Sequence, residues 1–435
     1  MLNIPCKLPD DQEPVYLVGG SIRDLLMQRV PEDYDIVVPG NPERYARKLA
    51  VMHHVRAIAL GKAEKRIFRV VGRDAVYDIS RAKGDSIEAD LMQRDFTVNA
   101  LAYDTRSGNI VDVANGLQDL STGQVRMVSP SIFDQDPVRL LRAFRMTAQL
   151  GFRIEKRTAD MIRAKKHLIR LAAGERIRDE WFNILKQTTT TASLSEMAGT
   201  GLLTALFPEL KNLADLSQNQ FHEFDALTHT LKTVEYLESI LDALDRSLPR
   251  SADALNQALN SRRRIILKCA AVLHDMGKPA TASLDEKGQP HYYGHEKIGE
   301  HMAEKIGRRF RFSNQERDAL TLIVRQHLRP LLLFSQVGEK MPGIRARLRF
   351  FLACGSLTPD VVLHAVADSR GKTTAPGLRH RNFVRFADNL LQEYFTGFKK
   401  KKEAPRLING HDLIREFGFS PSPVFTSVLK QVEEA

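Results

Sequence analysis

The sequence is poor in cysteine: its 435 residues include only Cys6, Cys269 and Cys354, which lie far apart. No C-x-x-C pair occurs, so neither a disulfide framework nor a zinc ribbon is expected. This cysteine usage suits a reducing compartment best, which predicts a cytoplasmic protein. The N-terminal segment lacks the basic-then-apolar pattern of a signal peptide, and no apolar run approaches the roughly 20 residues of a membrane span. We therefore expect no membrane partner.

Acidic residues are outnumbered by basic ones, with 53 Asp and Glu against 64 Lys and Arg, which gives a net charge of +11. A positive surplus favours a polyanionic partner, because phosphate contacts release condensed counterions. The apolar content of 43% is ordinary for a globular protein, and the length allows two or more domains with their own cores. The composition therefore favours a multidomain protein that binds nucleic acid.

The hydrophobic pattern changes along the chain. Short apolar runs predict strands at 15–18, 35–38, 66–71 and 75–80, and a hairpin formed by 101–103 and 110–112. From Asp136 onward the apolar residues recur at helical spacing, as at Leu140 and Phe144, and Gly151 is placed to cap that helix. The predicted fold class is α+β, with a mixed N-terminal domain followed by all-α domains.

A glycine turn and a pair of carboxylates stand close together near the N-terminus. Gly19 and Gly20 separate a predicted strand from a predicted helix, where glycine lets backbone N–H groups approach a phosphate. Asp33 and Asp35 are two residues apart on a strand and so point to the same face. Two like charges on one face repel unless a cation lies between them, and Mg²⁺ prefers carboxylates with phosphate oxygens. We predict Asp33 and Asp35 as Mg²⁺ ligands and Asp78 as a third catalytic carboxylate.

Five motifs then follow in a recognisable order across residues 15–185: GGSIRD, DYD, RDFTVNALAYD, NGLQDL and DPVRLLRAFR. The series resembles motifs A to E of the tRNA nucleotidyltransferase and poly(A) polymerase family, in its bacterial and eukaryotic class. The resemblance implies a polymerase-β-like palm, in which two Mg²⁺ ions on Asp33 and Asp35 serve in-line displacement at an RNA 3′-hydroxyl. It also implies that Arg94 and Asp95 recognise the ribose 2′-hydroxyl. The expected nucleotide-binding residues are Gly19, Gly20, Arg23, Arg94, Asp95, Asn99, Asp136, Arg139, Arg142 and Arg145.

Asp136 and Arg139 offer a way to choose a base. On a helix predicted to begin near Pro137 they share a face, with Asp136 accepting hydrogen bonds and Arg139 donating them. The pairing edges of cytosine and adenine complement this combination, whereas those of uracil and guanine present the reverse. The pair matches the family's E-D-x-x-R motif, which templates the incoming base, except that Gln135 replaces the usual Glu. A helix-start ion pair is the alternative interpretation. Residues 175–180 resemble the next motif, which props the base pocket.

The expected substrates are the 3′ end of tRNA, with CTP and ATP. The resemblance implies that family members that add the terminal A have an extra flexible loop at the position of segment 79–93, which is short in this chain, and that members that add only CC lack it. The short segment predicts addition of CC, with addition of CCA left open. Poly(A) polymerase is the second reading, although such enzymes usually lack the domain that follows.

A second constellation, in the order H…HD…H…H…D, resembles the HD metal-dependent phosphohydrolase domain over residues 220–375. The resemblance implies a dinuclear centre, which Mg²⁺ or a transition metal (Ni²⁺, Mn²⁺ or Co²⁺) would occupy, with Lys278 placed to meet a phosphate. One alternative is an inactive HD fold that serves as an RNA-binding body. Another is a hydrolase of RNA ends, with the palm as its RNA-binding module. The expected metal ligands are His229, His274, Asp275, His295, His327 and Asp368.

These motifs divide the chain into four predicted parts. They are a nucleotidyltransferase palm at 1–125, a helical neck for nucleotide recognition at 126–215, an HD-type domain at 216–385 and a helical tail at 386–435. Within the tail, residues 407–418 resemble a tRNA-facing element of bacterial family members.

Overall fold

A computed structural model gives the fold. It describes residues 2, 4–61, 66–84, 86–213, 216, 224–338, 340–373, 375, 377–400, 410–418, 422, 424, 425 and 427–429. A seven-stranded sheet with four helices forms the N-terminal part, here called the sheet domain, and a mostly helical body follows it. The predicted α+β class is therefore confirmed.

The strands of the sheet are ordered β3-β4-β5-β2-β1-β6-β7. Only β2 and β5 run parallel to each other, and the other neighbours are antiparallel. Leu17, Ile36, Tyr45 and Leu49 are fully buried between the sheet and the second helix. The elements are β1 (Tyr16–Val18), α1 (Gly20–Leu26), β2 (Asp33–Val38), α2 (Pro42–Met52), β3 (Ala57–Leu60), β4 (Ile67–Val71), β5 (Val76–Arg81), α3 (Ile87–Leu91), β6 (Leu101–Asp104), β7 (Ile110–Asp112) and α4 (Gly116–Thr122).

All the strands predicted from apolar runs are present, and the hairpin is formed by β6 and β7. The strand β3 was not predicted. It lies at the edge of the sheet and leaves Ile58 and Leu60 exposed, so its sequence lacks the alternation that marks a half-buried strand. Strands with at least one face packed against the protein were therefore predicted, and the exposed edge strand was not.

The next segment contains β8 (Gln124–Val125), α5 (Ile132–Gln135), α6 (Arg139–Leu150), β9 (Arg153–Ile154), α7 (Lys156–Lys165), α8 (Gly174–Leu185), α9 (Thr191–Thr200) and α10 (Leu202–Leu206), with 3₁₀ turns at Lys166–Leu171 and Pro208–Leu213. Gly151 ends α6 in the left-handed conformation with φ 74°, as predicted. Trp181 of α8 is fully buried and donates its indole N–H to the Cys269 sulfur at 3.5 Å. One continuous apolar core joins this segment to the helices that follow.

The position of Asp136 differs from the prediction. The helix was expected to begin near Pro137 and to carry both Asp136 and Arg139, but α6 begins at Arg139. Asp136 precedes it in an extended conformation, with φ −152° and ψ 95°. The ring of Pro137 disfavours the helical conformation for the residue before it, which explains the difference.

The remaining helices form the rest of the helical body. They are α11 (Ala226–Asp242), α12 (Leu244–Ser247), α13 (Ala252–Ala258), α14 (Ser261–Leu273), α15 (His295–Arg309), α16 (Asn314–Gln326), α17 (Arg329–Val337), α18 (Ile344–Cys354), α19 (Thr358–Arg370), α20 (Leu378–Glu393) and α21 (Gly410–Phe417). Among them, α11, α14, α15, α16 and α19 meet at a histidine-rich centre. A small hairpin of β10 (Ser283–Leu284) and β11 (Pro290–His291) lies between α14 and α15. There are also 3₁₀ turns at Lys278–Thr281 and Gly355–Leu357 and a π-helical turn at Tyr394–Lys399. Of the predicted tail element, 407–409 lie outside the described residues.

One helical stretch, Ile344–Arg370, is long and apolar enough to cross a membrane by composition. In this fold 72% of its apolar window is buried inside the protein, and the stretch is broken by the turn at Gly355–Leu357. Val361, Val362 and Leu363 belong to the continuous core. The apolar character is accounted for by packing within the helical body.

Candidate active sites

A cleft of about 1480 Å³ opens between the sheet domain and helices α6 and α8. It brings together predicted residues from four separate stretches of sequence, including the glycine turn, the two strand carboxylates and the start of α6. The predicted residues that line it are Gly19, Gly20, Arg23, Asp33, Asp35, Arg94, Asp95, Asn99, Asp136, Arg139, Arg142 and Arg145. Asp78 is the one predicted residue of this site that does not line the cleft.

The glycine turn approaches the cleft closely because it carries no side chain. Gly19 has φ 70°, a conformation that L-residues with a Cβ rarely adopt. A Cβ on Gly19 would lie 2.7 Å from a terminal nitrogen of Arg94 and 3.4 Å from the Asp35 carboxylate. The turn thus leaves room for the side chains that face the cleft.

Asp33 and Asp35 are exposed on β2, whereas Tyr34, which lies between them, and Ile36, which follows them, are buried. This alternation is what the sequence predicted for the pair. Asp35 lies directly opposite Asp78 on the parallel neighbour β5. Withdrawal from water and the neighbouring carboxylates of Asp78 and Asp33 raise the pKa of Asp35, against the opposing effect of Arg94. A cation would relieve this repulsion, so the carboxylates fit a Mg²⁺ site.

Asp78 already has a partner in the sheet. Both of its carboxylate oxygens accept hydrogen bonds from Arg69 on β4, at 2.8 and 2.7 Å. Its nearness to Asp35 gives it an electrostatic effect on the cleft, and its role as a third metal-binding carboxylate stays a prediction.

A network of charged side chains crosses the cleft from the sheet domain to α8. Asn99 accepts a hydrogen bond from Arg23 at 2.7 Å and donates one to Asp95 at 3.1 Å. Arg142 contacts Asp95 at 2.9 Å and Glu180 at 3.0 Å. Burial alone would raise the pKa of Asp95. The Arg142 guanidinium and the hydrogen bonds that the Asp95 carboxylate accepts instead lower this pKa to about 2. The carboxylate of Asp95 is therefore ionised and held in one orientation.

Arg94 points along a second wall of the cleft. Its guanidinium donates to Asp90 at 3.1 and 2.9 Å, and Asp90 is itself only 3% exposed. Asp90 was not predicted as a site residue. Its i, i+4 spacing from Arg94 was the available signal.

Asp136 and Arg139 both line the cleft, but each is bonded to another residue. Arg176 of α8 donates to both carboxylate oxygens of Asp136, at 2.9 and 2.7 Å. Arg139 donates to the side-chain oxygen of Gln135 at 3.3 Å and to the carbonyl oxygen of Gln93 at 3.2 Å. Gln135, which replaces the family's usual Glu, therefore serves here as a neutral acceptor for Arg139.

A second pocket, of about 700 Å³, lies in the helical body. All six predicted HD residues meet beside it, although they come from α11, α14, α15, α16 and α19 and the turns that adjoin them. Their ligand atoms form two groups, each within 4.8 Å: His229, His274 and Asp368, and Asp275, His295 and His327. Gly277 allows the close approach of α15, because a Cβ there would lie 2.2 Å from the carbonyl oxygen of His295.

Three of these histidines are oriented by backbone carbonyls three residues before them. The Nδ1 atoms of His274, His295 and His327 lie 3.0, 2.7 and 2.7 Å from the carbonyl oxygens of Ala271, Tyr292 and Val324. A carbonyl only accepts, so each Nδ1 carries a proton, and in the neutral imidazole each Nε2 then presents a lone pair.

The Nε2 atoms of His295 and His327 face one another at 3.2 Å. If both rings are neutral with Nδ1 protonated, two lone pairs face each other at this distance, and a proton or a metal cation between them relieves the repulsion. Burial and the neighbouring histidines lower the pKa of His327 well below its usual range, so it stays neutral. The donor set therefore fits metal ions.

His364 was not predicted as a residue of this centre. It lies one helical turn before Asp368 on α19, is fully buried, and its ring is 4.8 Å from that of His274 and 5.6 Å from that of His327. Burial lowers its pKa to about 3, so its imidazole is neutral. The H-x-x-x-D spacing was the signal that could have found it.

Three family models match successive parts of the chain. Residues 15–126 match the family model of the poly A polymerase head domain, 151–213 match the probable RNA and SrmB-binding site of polymerase A, and 226–389 match the HD domain. The A-adding tRNA nucleotidyltransferase of Deinococcus radiodurans is 30% identical over 98% of this chain and 92% of that protein. This chain belongs to the tRNA nucleotidyltransferase and poly(A) polymerase family.

Other members of the tRNA nucleotidyltransferase family agree in extent and fold. The CC-adding tRNA nucleotidyltransferase of Synechocystis sp. is 28% identical over 96% of this chain and 88% of its own length. The Thermotoga maritima CCA-adding enzyme, solved in complex with tRNA, has a TM-score of 0.62 at 20% identity, covering 97% of this chain and 86% of that one. A CCA-adding enzyme solved with ATP has a TM-score of 0.64 at 21% identity, covering 97% and 85%.

Proposed function

We propose that the cleft adds cytidine nucleotides from CTP to the 3′ end of tRNA, in a cytoplasmic enzyme with no membrane partner. One observation carries the proposal: the carboxylate pair Asp33 and Asp35 and the base-selecting pair Asp136 and Arg139 line the same cleft. A single bound nucleoside triphosphate would place its phosphates against the first pair and its base against the second. The surplus of positive charge and the names of the relatives support tRNA as the acceptor.

Each group in the cleft has a part in this reaction. Bound Mg²⁺, held by Asp33 and Asp35, would activate the 3′-hydroxyl and support the departing pyrophosphate. Asp95, fixed by Arg142 and Asn99, would accept a hydrogen bond from the ribose hydroxyl. Arg23, Arg94 and Arg145 supply positive charge for the triphosphate. The same proposal assigns residues 1–125 to catalysis, 126–215 to base recognition, 216–385 to hydrolysis and 386–435 to the tRNA tail contact.

Addition of CC is favoured over CCA by the length of one connection. Strand β5 ends at Arg81 and α3 begins at Ile87, so little chain is available for an extra flexible loop between them. The names of the relatives do not separate addition of CC from addition of the terminal A, because an A-adding member at 30% and a CC-adding member at 28% are nearly equally similar.

The test uses three tRNA substrates: one lacking its last three nucleotides, one ending in C and one ending in CC. Each is incubated with labelled CTP, with labelled ATP and with both. CC addition predicts two labelled C residues on the first substrate and no A on the third. Addition of A to the third together with C to the first would establish CCA addition, addition of A to the third alone would establish an A-adding enzyme, and tails of A on all three would establish a poly(A) polymerase.

For the HD centre we propose hydrolysis of terminal phosphate or 2′,3′-cyclic phosphate on RNA ends. Its pocket is lined by basic residues suited to a phosphoester, namely Lys278, Lys297, Arg325, Arg329, Arg349 and Lys372. A transition metal or Mg²⁺ there would supply Lewis acidity and a metal-activated water.

The variants His274→Ala and Asp275→Ala should abolish hydrolysis of a cyclic-phosphate RNA end while nucleotide addition persists. Joint loss of both activities would instead indicate that the domain serves only as a structural RNA-binding body.

A further inference from the structure

The strongest unexplained group in the helical body is His364. Its side chain is fully buried, and neither ring nitrogen has a hydrogen-bond partner among the described residues. A buried polar atom without a partner carries an uncompensated desolvation cost, so native proteins seldom keep one unless something binds it. His364 is neither in the six-residue HD pattern nor assigned a role by the proposed hydrolysis.

The surroundings of His364 indicate what would bind it. Its ring packs edge-on against His274 at 4.8 Å and against His327 at 5.6 Å, and those two rings are 5.2 Å apart. On α19 it stands four residues before Asp368, which places both side chains on one face of the helix. The ring is therefore nearer to His274 than to His327 and shares a helix face with Asp368. His274 and Asp368 belong to one group of metal-ligating atoms, with His229.

We propose that His364 is an additional metal ligand of the HD centre, which completes the group formed by His229, His274 and Asp368. The inference rests on the proposed metal centre. His364 is not a member of either compact group of ligand atoms, so the proposal requires its ring to turn toward the ion when the ion binds. The alternative is a core histidine that merely packs against His274.

This ligand determines which metal the centre selects. With His364 the group offers three imidazole nitrogens and one carboxylate, and the second group, Asp275, His295 and His327, offers two imidazoles and one carboxylate. Imidazole suits Zn²⁺, Ni²⁺, Fe²⁺ and Co²⁺, whereas Mg²⁺ prefers oxygen donors. We therefore expect the HD centre to prefer a transition metal and the carboxylates in the cleft of the sheet domain to prefer Mg²⁺.

The test measures metal binding by the full-length protein rather than activity. Chelator-stripped protein is titrated with Co²⁺ in the presence of excess Mg²⁺, and the visible absorption of the bound ion and the metal content after gel filtration are recorded. The variant His364→Phe keeps a ring of similar shape but lacks a donor. His301→Phe, at an exposed position on α15, is the matched control.

The wild type and the His301→Phe control should bind Co²⁺ at two sites. In His364→Phe one site should weaken by more than about 100-fold, because even the loss of an outer partner of a ligand costs about 10–100-fold, and the Co²⁺ spectrum should change. Thermal unfolding of the metal-free proteins reports folding, and a second variant, His364→Asn, replaces the first if Phe is not accommodated. Equal affinity and spectrum in both His364 variants and the wild type would overturn the inference. Failure of the wild type itself to bind Co²⁺ would overturn the proposed metal centre along with it.

Discussion

Replacing Arg142 by methionine tests the charged network that joins the sheet domain to α8. Methionine approximates the aliphatic part of the side chain but removes the guanidinium, which contacts Asp95 at 2.9 Å and Glu180 at 3.0 Å. Both carboxylates are nearly buried, with 7% and 6% of their residue surface exposed. The substitution therefore leaves two buried acids with fewer counter-charges.

The expected loss of stability follows from the remaining contacts. Removing one partner of a buried ion pair costs about 3–5 kcal/mol. Asp95 keeps hydrogen bonds from Asn99 and from the Phe96 amide, and Glu180 keeps Arg145 at 3.2 Å, which moderates the loss. We expect the free energy of unfolding to fall by about 2–4 kcal/mol at neutral pH.

The dependence on pH gives an independent check. The pKa of Asp95 lies at about 2 in the folded protein against an ordinary 3.8. A carboxyl pKa that folding lowers stabilises the protein above the unfolded value, and this contribution, about 2 kcal/mol, is lost as pH falls through the folded value. Because Arg142 causes much of the shift, the difference in stability between wild type and variant should shrink as pH falls from about 5 toward about 2.

Urea unfolding, followed by the fluorescence of Trp181 in the neighbouring helix, measures both effects. The control is Arg163→Met, which removes an exposed arginine paired with Asp160 and should cost less than about 0.5 kcal/mol. A stability of Arg142→Met equal to that of the control, or a difference that is constant with pH, would refute the reasoning.

Two further substitutions separate the cleft of the sheet domain from the HD centre, and a third tests base selection. Gly19→Ala should reduce nucleotide addition more than 10-fold with hydrolysis intact, since its positive φ costs about 1–2 kcal/mol and its Cβ would meet Arg94; equal addition would contradict this. Gly277→Ala should reduce hydrolysis and leave nucleotide addition intact in paired assays, because its Cβ would lie 2.2 Å from the His295 carbonyl oxygen; retained metal content in this variant would contradict the expectation. Arg176→Gln frees the carboxylate of Asp136, which we propose selects the base, from its half-exposed partner, so misincorporation of UTP relative to CTP should rise about five-fold in single-turnover assays, with unfolding unchanged. An unchanged ratio of UTP to CTP would show that Arg176 does not orient that carboxylate.

Much of the sheet domain and both constellations could be predicted because their signals are local. The alternation of Asp33 and Asp35 with buried neighbours fixes one face of β2, and the helical spacing around Phe144 fixes the buried face of α6. The start of α6 was misplaced, since Pro137 acts on the residue before it. The edge strand β3 was missed because its sequence lacks alternation, whereas His364 was missed although its spacing of four from Asp368 places both on one helix face.

The sequence by itself determined the α+β class, the order of the motifs and the family, since each depends on residue type at short spacing. The tertiary structure alone decided which charges meet. Arg142 and Glu180 are 38 residues apart, Asp136 and Arg176 are 40 apart, and Asp78 is paired with Arg69 on the neighbouring strand. Among 64 basic and 53 acidic residues the sequence cannot select such partners, because packing of strands and helices, not spacing along the chain, sets their distances. The folding of distant helices likewise brings five histidines and two aspartates to one buried centre.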